Sequence, residues 1–229
     1  MEAIVLAGGL GTRLRSEVPA LPKAMAPVAG QPFLALLLRH LAARGVSRVV
    51  LSLGYKAEAI IDHFGDAFAG MKLAHVVESS PLGTGGAVRL AMTRMKSDHI
   101  CVFNGDTYLD LDLAAVEALW QAHRQPIIVA RAVADAGRYG RLIADGGSLA
   151  GFAEKGVAGP GLINAGSYVF QAGQFDAFEP GVPFSLEQDY LAQAGRRSAM
   201  RVIVSEGQFI DIGVPDDYRR AQKELAHLP

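Results

Sequence analysis

Residues 3–28 read AIVLAGGLGTRLRSEVPALPKAMAPV, and the change of character within that run sets the reading of the chain. Ala3, Ile4, Val5 and Leu6 form an apolar strand that opens onto Gly8, Gly9 and Gly11, where the backbone is free to take positive φ and approach a ligand closely. Exposed amides in such a loop suit phosphate oxygens. Arg13 and Lys23 add two cations, one a planar fork and the other a mobile point charge. Pro19, Pro22 and Pro27 stiffen the segment that carries Lys23. A glycine-rich turn after a first strand is also common as plain structure, so spacing alone assigns no function. The dinucleotide fingerprint fails, because its third glycine falls on Leu14, and the P-loop fails because Gly-Lys-Ser/Thr is absent.

Working outward, Phe33, Leu34, Leu37, Leu38, Leu41 and Ala42 recur at helical spacing up to a stop at Gly45. Arg48 to Leu53 reads as a strand. Strand and helix patterns then alternate through Tyr55–Phe68, Lys72–Val77, Thr84–Met95 and His99–Phe103. This predicts an α/β fold, with right-handed crossovers and a mostly parallel sheet covered by helices on both faces. Ligands of such sheets bind beyond the carboxyl ends of the strands. After Pro126 the pattern shifts to short strands at Ile127–Val133, Gly140–Ile143, Ser148–Glu154 and Asn164–Phe170, read as a small mixed or antiparallel β-rich flap. One domain over 1–229 is expected, with a first half to residue 125 and a second from residue 126.

The chain has 229 residues, half of them apolar and a fifth charged, with a formal net charge of −1. That balance argues against a nucleic-acid surface, so phosphate binding must be local. Apolar runs such as Phe33–Leu38 are too short to cross a bilayer, and no membrane association is expected. The opening MEAIVLAGG reads as a strand and not a signal peptide. A single cysteine, Cys101, fits a reducing cytoplasm and reads as a core residue. The six histidines show no zinc-ligand spacing.

Three further stretches carry chemistry-bearing residues. ESSPLGTGGAV, Glu78 to Val88, is a rigid turn into a helix. FNGDTYLDLD, Phe103 to Asp112, releases Asp106 at the end of a buried strand, where a carboxylate can hold a hard cation; Asp110 and Asp112 read as the start of the next helix. FSLEQDYL, Phe184 to Leu191, reads as a helix capped by Ser185, with Glu187 in its first turn. An isolated Glu154–Lys155 pair would read as a solvated surface pair.

In combination, G-G-x-G-T-R followed by P-K resembles the signature of the sugar-1-phosphate nucleotidyltransferases, also called nucleoside-diphosphate-sugar pyrophosphorylases. The resemblance implies a Rossmann-like nucleotide-diphospho-sugar transferase fold. It implies that Leu6, Ala7, Gly8, Gly9, Gly11 and Thr12 wrap a nucleoside triphosphate whose phosphates meet Arg13 and Lys23, the catalytic cations. Glu78, Gly83 and Thr84 become base-edge candidates, with Glu78 suited to guanine as an acceptor for N1–H and the exocyclic amine. Asn104 and Gly105 would meet the sugar, together with Glu154 and Lys155 of F-x-E-K, Asn164 and Gly166 of I-N-A-G, and Glu187. Asp106 of N-G-D and Asp211 of D-I-G would bind Mg²⁺.

The string GTRLRSEVPALPKAMAPVAGQPFL and the LGTGGA turn are most similar to members that use GTP and D-glycero-α-D-manno-heptose 1-phosphate for capsule or surface-polysaccharide synthesis. Arg15 to Val18 depart from the common G-T-R-L-x-P-x-T pattern, so no base preference is borrowed from thymidylyl- or uridylyltransferases. Mannose, glucose and N-acetylmuramate 1-phosphates are alternative substrates, and a catalytically silent regulatory paralogue is another reading. A homo-oligomer is left open.

Overall fold

The structure is a computed structural model that describes residues 1–153, 156, 158–193 and 200–228. In chain order the elements are β1 (Glu2–Leu6), β2 (Pro27–Val28), β3 (Gln31–Pro32), α1 (Phe33–Ala43), β4 (Arg48–Leu53), α2 (Ala57–Phe64), β5 (Ala67–Phe68), β6 (Met71–Val77), α3 (Gly83–Met92), β7 (His99–Asn104), β8 (Thr107–Leu109) and α4 (Leu113–His123). The second half adds β9 (Ile127–Val133), β10 (Arg141–Asp145), β11 (Ser148–Ala153), β12 (Gly161–Gln171), β13 (Arg201–Ser205), β14 (Phe209–Asp211) and α5 (Pro215–Glu224).

A single ten-stranded sheet runs in the order β10-β11-β13-β9-β12-β7-β1-β4-β6-β5. Its centre is parallel: β1 lies between β4 and β7, with Leu6 opposite both Ser52 and Asn104. β12 turns antiparallel against β7 and carries the second-half strands into the same sheet. The β-rich part expected as a flap is therefore continuous with the parallel sheet.

Alternation along β1 shows why this sheet needs two covers. Ala3 and Val5 face one core with Leu34, Leu37 and Leu41 of α1, Ile60 of α2 and Trp120 of α4. Ile4 faces the other, with Val88 and Ala91 of α3 and Phe170, Phe184 and Tyr190. Successive side chains of a strand point to opposite faces, so an almost wholly apolar strand must be covered twice. A third cluster, built on Phe33, Leu36, Tyr108, Ile210 and Ala221, seats α5 against β8 and β14.

Several boundaries differ from the sequence reading for local reasons. Asp112 does cap α4, accepting from the amides of Ala114 and Ala115 at 3.0 and 3.1 Å. Asp110 does not join the cap, because its carboxylate is drawn into an ion pair with Arg44. Ser185 caps the segment after it, accepting from Gln188 N at 3.1 Å, but the result is a π turn over Leu186–Tyr190 and then a 3-10 turn over Leu191–Gln193. The predicted helix at Thr84–Met95 runs instead over Gly83–Met92, and β12 extends beyond Asn164–Phe170 at both ends.

Candidate active site

β1, β4, β6 and β7 all end at one edge, and the loops that leave them enclose a cleft of about 470 Å³. Gly8, Gly9, Lys23 and Asp106 line it together with Glu78, Pro81, Gly83 and Thr84. Leu6, Ala7, Asn104 and Gly105 form its floor, at the carboxyl ends of the two central strands. Gly105 is held there by its own amide, which donates to Leu6 O at 2.8 Å.

The glycine loop presents unspent donors. Gly8 O accepts from Tyr55 N at 3.2 Å, whereas the amides of Gly8, Gly9, Leu10 and Gly11 donate no hydrogen bond among the described residues. Gly11 takes φ +59°, and a Cβ there would fall 2.8 Å from that of Lys23. The missing side chain lets the lysine segment lie directly on the loop. Arg13 comes next, in a short 3-10 turn over Thr12–Leu14; it is exposed, and near enough that its charge acts on Asp211.

Lys23 is the most constrained charge in the site. Only 12% of its side chain is exposed, and Nζ lies 2.5 Å from Asp106 Oδ2 and 3.8 Å from Asp211 Oδ1. The two aspartates come together because β8, just after Asp106, pairs antiparallel with β14, setting Asp211 opposite Thr107. Ile212 N closes the join by donating to Asp106 O at 3.0 Å. Burial and the neighbouring Asp106 charge push the Asp211 carboxyl above the usual carboxylate range, against the pull of Lys23.

A divalent cation would relieve that repulsion. Among the described residues no three His, Cys, Asp or Glu side chains converge on a metal position. Two carboxylates with further positions left to water and phosphate oxygens suit Mg²⁺, and the donor set of Asp106 and Asp211 fits that ion.

The remaining expected residues form a second group. Asn164 Nδ2 donates to Glu187 Oε1 at 3.0 Å and to Tyr168 OH at 2.7 Å, and its Oδ1 accepts from Gly166 N at 3.1 Å. Gly166 sits at φ +70° with Asn104 against it; a Cβ would lie 2.6 Å from Asn104 Nδ2. Asn164, Gly166 and Glu187 are thereby connected to the floor of the cleft. Glu154 and Lys155 lie outside the described residues.

Glu78 lies beside the glycine loop, where a Cβ on Gly8 would be 3.4 Å from its Oε1, and its Oε2 accepts from Leu82 N at 3.1 Å. Gly54 leaves room for the other oxygen, since a Cβ there would come within 2.5 Å of Oε1. Thr84 lines the cleft, and its hydroxyl oxygen accepts from Leu186 N at 3.0 Å.

Sequence reading missed Leu10, Ser52 and Tyr55, which also line the cleft. Ser52 is a buried hydroxyl within the apolar run of residues 49–53, and that interruption was an available signal. Tyr139 was missed as well. It packs against Phe209, 6.2 Å between ring centroids, and burial raises its phenol with a further push from Asp211. Nothing in the isolated string RYG indicated that neighbourhood.

A family model described as nucleotidyl transferase matches residues 2–227. The chain belongs to the nucleotidyl transferase family. This nucleotidyl transferase is 39% identical over 228 residues to the D-glycero-alpha-D-manno-heptose 1-phosphate guanylyltransferase of Aneurinibacillus thermoaerophilus, covering 99% of each chain. It is 38% identical over 220 residues to the enzyme of the same name from Campylobacter jejuni, covering 95% of this chain and 97% of that one. Among solved structures, HddC from Yersinia pseudotuberculosis complexed with GMP-PN superposes with a TM-score of 0.86 at 36% identity, over 98% of this chain and 99% of that one. The nucleotidyl transferase is thus an enzyme that transfers a nucleotidyl group to a sugar 1-phosphate.

Proposed function

We propose that this nucleotidyl transferase condenses GTP with D-glycero-α-D-manno-heptose 1-phosphate, giving GDP-heptose and pyrophosphate. The observation that carries the reaction is the arrangement of one cleft, which unspent loop amides, Lys23 and the anchored Glu78 carboxylate line together. Glu78 Oε1 is free to accept from a guanine N1–H and exocyclic amine, which supports GTP over uridine or thymidine nucleotides. The heptose phosphate is supported by the two full-length relatives that bear that name.

In the reaction an oxygen of the sugar 1-phosphate attacks the α-phosphorus in line, and the bond to the β-phosphate breaks. A phosphate monoester is largely dianionic near neutral pH, so no general base is needed. The work left to the protein is positioning and charge neutralisation. The Gly8–Gly11 amides and Arg13 would bind the departing phosphates. Lys23 would track the charge at the α-phosphate, exchanging its Asp106 partner for phosphate oxygens. Asp106 and Asp211 would hold Mg²⁺, which when bound neutralises phosphate charge between the substrates. Asn164, Gly166 and Glu187, with Glu154 and Lys155, would bind the sugar phosphate.

The single buried cysteine is in keeping with a cytoplasmic enzyme, and the product would serve as a sugar donor for surface-polysaccharide assembly. The test is pyrophosphate release in the presence of Mg²⁺ over a grid of GTP, ATP, UTP, CTP and dTTP against heptose, mannose and glucose 1-phosphates. Release confined to GTP with the manno-heptose phosphate is the expected result. Activity with another pair replaces the substrates, and none across the grid overturns the proposal.

A further inference from the structure

The glycine-rich turn that walls the cleft is gripped from its other side by residues 184–186. Phe184 O accepts from Gly85 N at 3.0 Å and from Gly86 N at 3.4 Å, while Phe184 N donates to Leu82 O at 3.0 Å. A Cβ on Gly85 would lie 2.1 Å from the Phe184 ring, so the residue at 85 must lack a side chain for this docking to occur. The final tie is Leu186 N, which donates to Thr84 Oγ1 at 3.0 Å. The next residue is Glu187, whose Oε1 accepts from Asn164. Asn164 in turn binds Gly166 N, and Gly166 packs on Asn104 at the floor of the cleft.

The sequence resemblance implies a nucleobase role for Thr84, which lines the cleft; its oxygen also accepts from the backbone that carries Glu187, and its O–H stays available as a donor. Ser185 and Asp189 stabilise the π turn within itself, through Gln188 N and Ser185 N, but neither bond fixes where the turn sits. A single helical turn has too few internal bonds to be rigid alone. Tyr190 holds the far end of the turn, accepting from Gln174 Nε2 at 2.7 Å and packing on Phe170 and Phe175, and the near end is held by the contacts it makes with α3.

We propose that Thr84 is a positioning residue for the sugar 1-phosphate: its hydroxyl anchors Leu186 and thereby sets Glu187 against Asn164. The inference rests on reading Glu187 and Asn164 as sugar-side groups. It makes the turn between the two substrates serve both, with Glu78 facing the nucleotide and Thr84 holding the sugar side.

The test is steady-state kinetics with GTP and D-glycero-α-D-manno-heptose 1-phosphate for Thr84→Val, Thr84→Ser, Gly85→Ala and Glu187→Gln, with thermal unfolding of each. Thr84→Val removes the acceptor while keeping the shape. It is expected to raise KM for the heptose phosphate about fivefold or more, the order of one lost neutral hydrogen bond, with KM for GTP within about twofold of wild type. Thr84→Ser keeps the acceptor and should restore the heptose KM. Gly85→Ala displaces Phe184 without touching the hydroxyl and should raise the same KM; if Thr84→Val does not fold, Thr84→Ala, which also lacks the acceptor, replaces it with the same expected rise. A rise in KM for GTP alone, or no change in either while Glu187→Gln raises the heptose KM, overturns the role of Thr84. A Glu187→Gln enzyme with a normal heptose KM overturns the sugar-side reading and the inference with it.

Discussion

The Lys23 ammonium lies 2.5 Å from the Asp106 carboxylate, and the same nitrogen reaches Asp211 at 3.8 Å, so one cation is shared by two acids. Such an ion pair is a store of positive charge that an incoming phosphate can draw on. Removing either member should therefore abolish chemistry and leave the core untouched. Lys23→Ala and Asp106→Asn are each expected to lower turnover by about 10²–10³, as for loss of a transition-state charge contact. Pyrophosphate release, with circular dichroism to show retained fold, checks both; a rate near wild type removes the residue from its proposed role.

The two aspartates should make the enzyme metal-dependent. Chelation with EDTA should stop pyrophosphate release, and added Mg²⁺ should restore it. In Asp211→Asn the Mg²⁺ concentration for half-maximal rate should rise at least about tenfold, since one of two anionic ligands is lost. Activity that persists in EDTA would contradict the assignment.

Glu2, at the opposite end of β1 from the cleft, should contribute to acid sensitivity. Burial alone would raise the Glu2 carboxyl, but hydrogen bonds from Ser97 Oγ, Lys96 N and Ser97 N, together with Arg48, outweigh it and hold the pKa below the ordinary 4.5. A depressed folded pKa contributes stability that is present above 4.5 and is lost as pH falls through the folded value. The melting temperature of the wild type should fall below about pH 4.5, and Glu2→Gln should be less stable at neutral pH with a flatter acid limb. Parallel melting curves for the two proteins between about pH 3 and 7 would exclude this role.

Gly166 is expected to tolerate no side chain. At φ +70°, with Asn104 Nδ2 in the place of a Cβ, Gly166→Ala must strain its backbone and displace Asn104. A stability loss of about 1–2 kcal/mol is anticipated from the conformation, read by urea unfolding, with a larger loss of turnover because the floor of the cleft moves.

Asp112 gives the contrasting case, a residue important to a helix and remote from the chemistry. Its carboxylate accepts both amides that open α4. Asp112→Ala should cost about 1 kcal/mol in unfolding free energy. KM and kcat should stay at wild-type values; a kinetic defect would show that α4 couples to the site.

The sequence by itself determined the elements and most of the phosphate end of the site. Apolar runs too uniform for a half-exposed strand required a sheet covered on both faces, and the residues G-G-x-G-T-R and P-K placed a loop, Arg13 and Lys23 beside the first strand. These features are local, since strand periodicity, glycine and proline act over a few residues. Pairing across long separations was decided only by the tertiary structure. The β8–β14 ladder brings Asp211 to Asp106, and the docking of Phe184 onto Gly85 brings Leu186 N to the Thr84 hydroxyl. The same distinction explains why Ser185 was legible as a cap while the helix after it was not: a cap is a bond to a neighbour's amide, whereas the π turn is shaped by the elements it packs against. Tyr55 and Tyr139 were silent in the string for that reason, as an aromatic side chain acquires its role from its surroundings and not from its spacing.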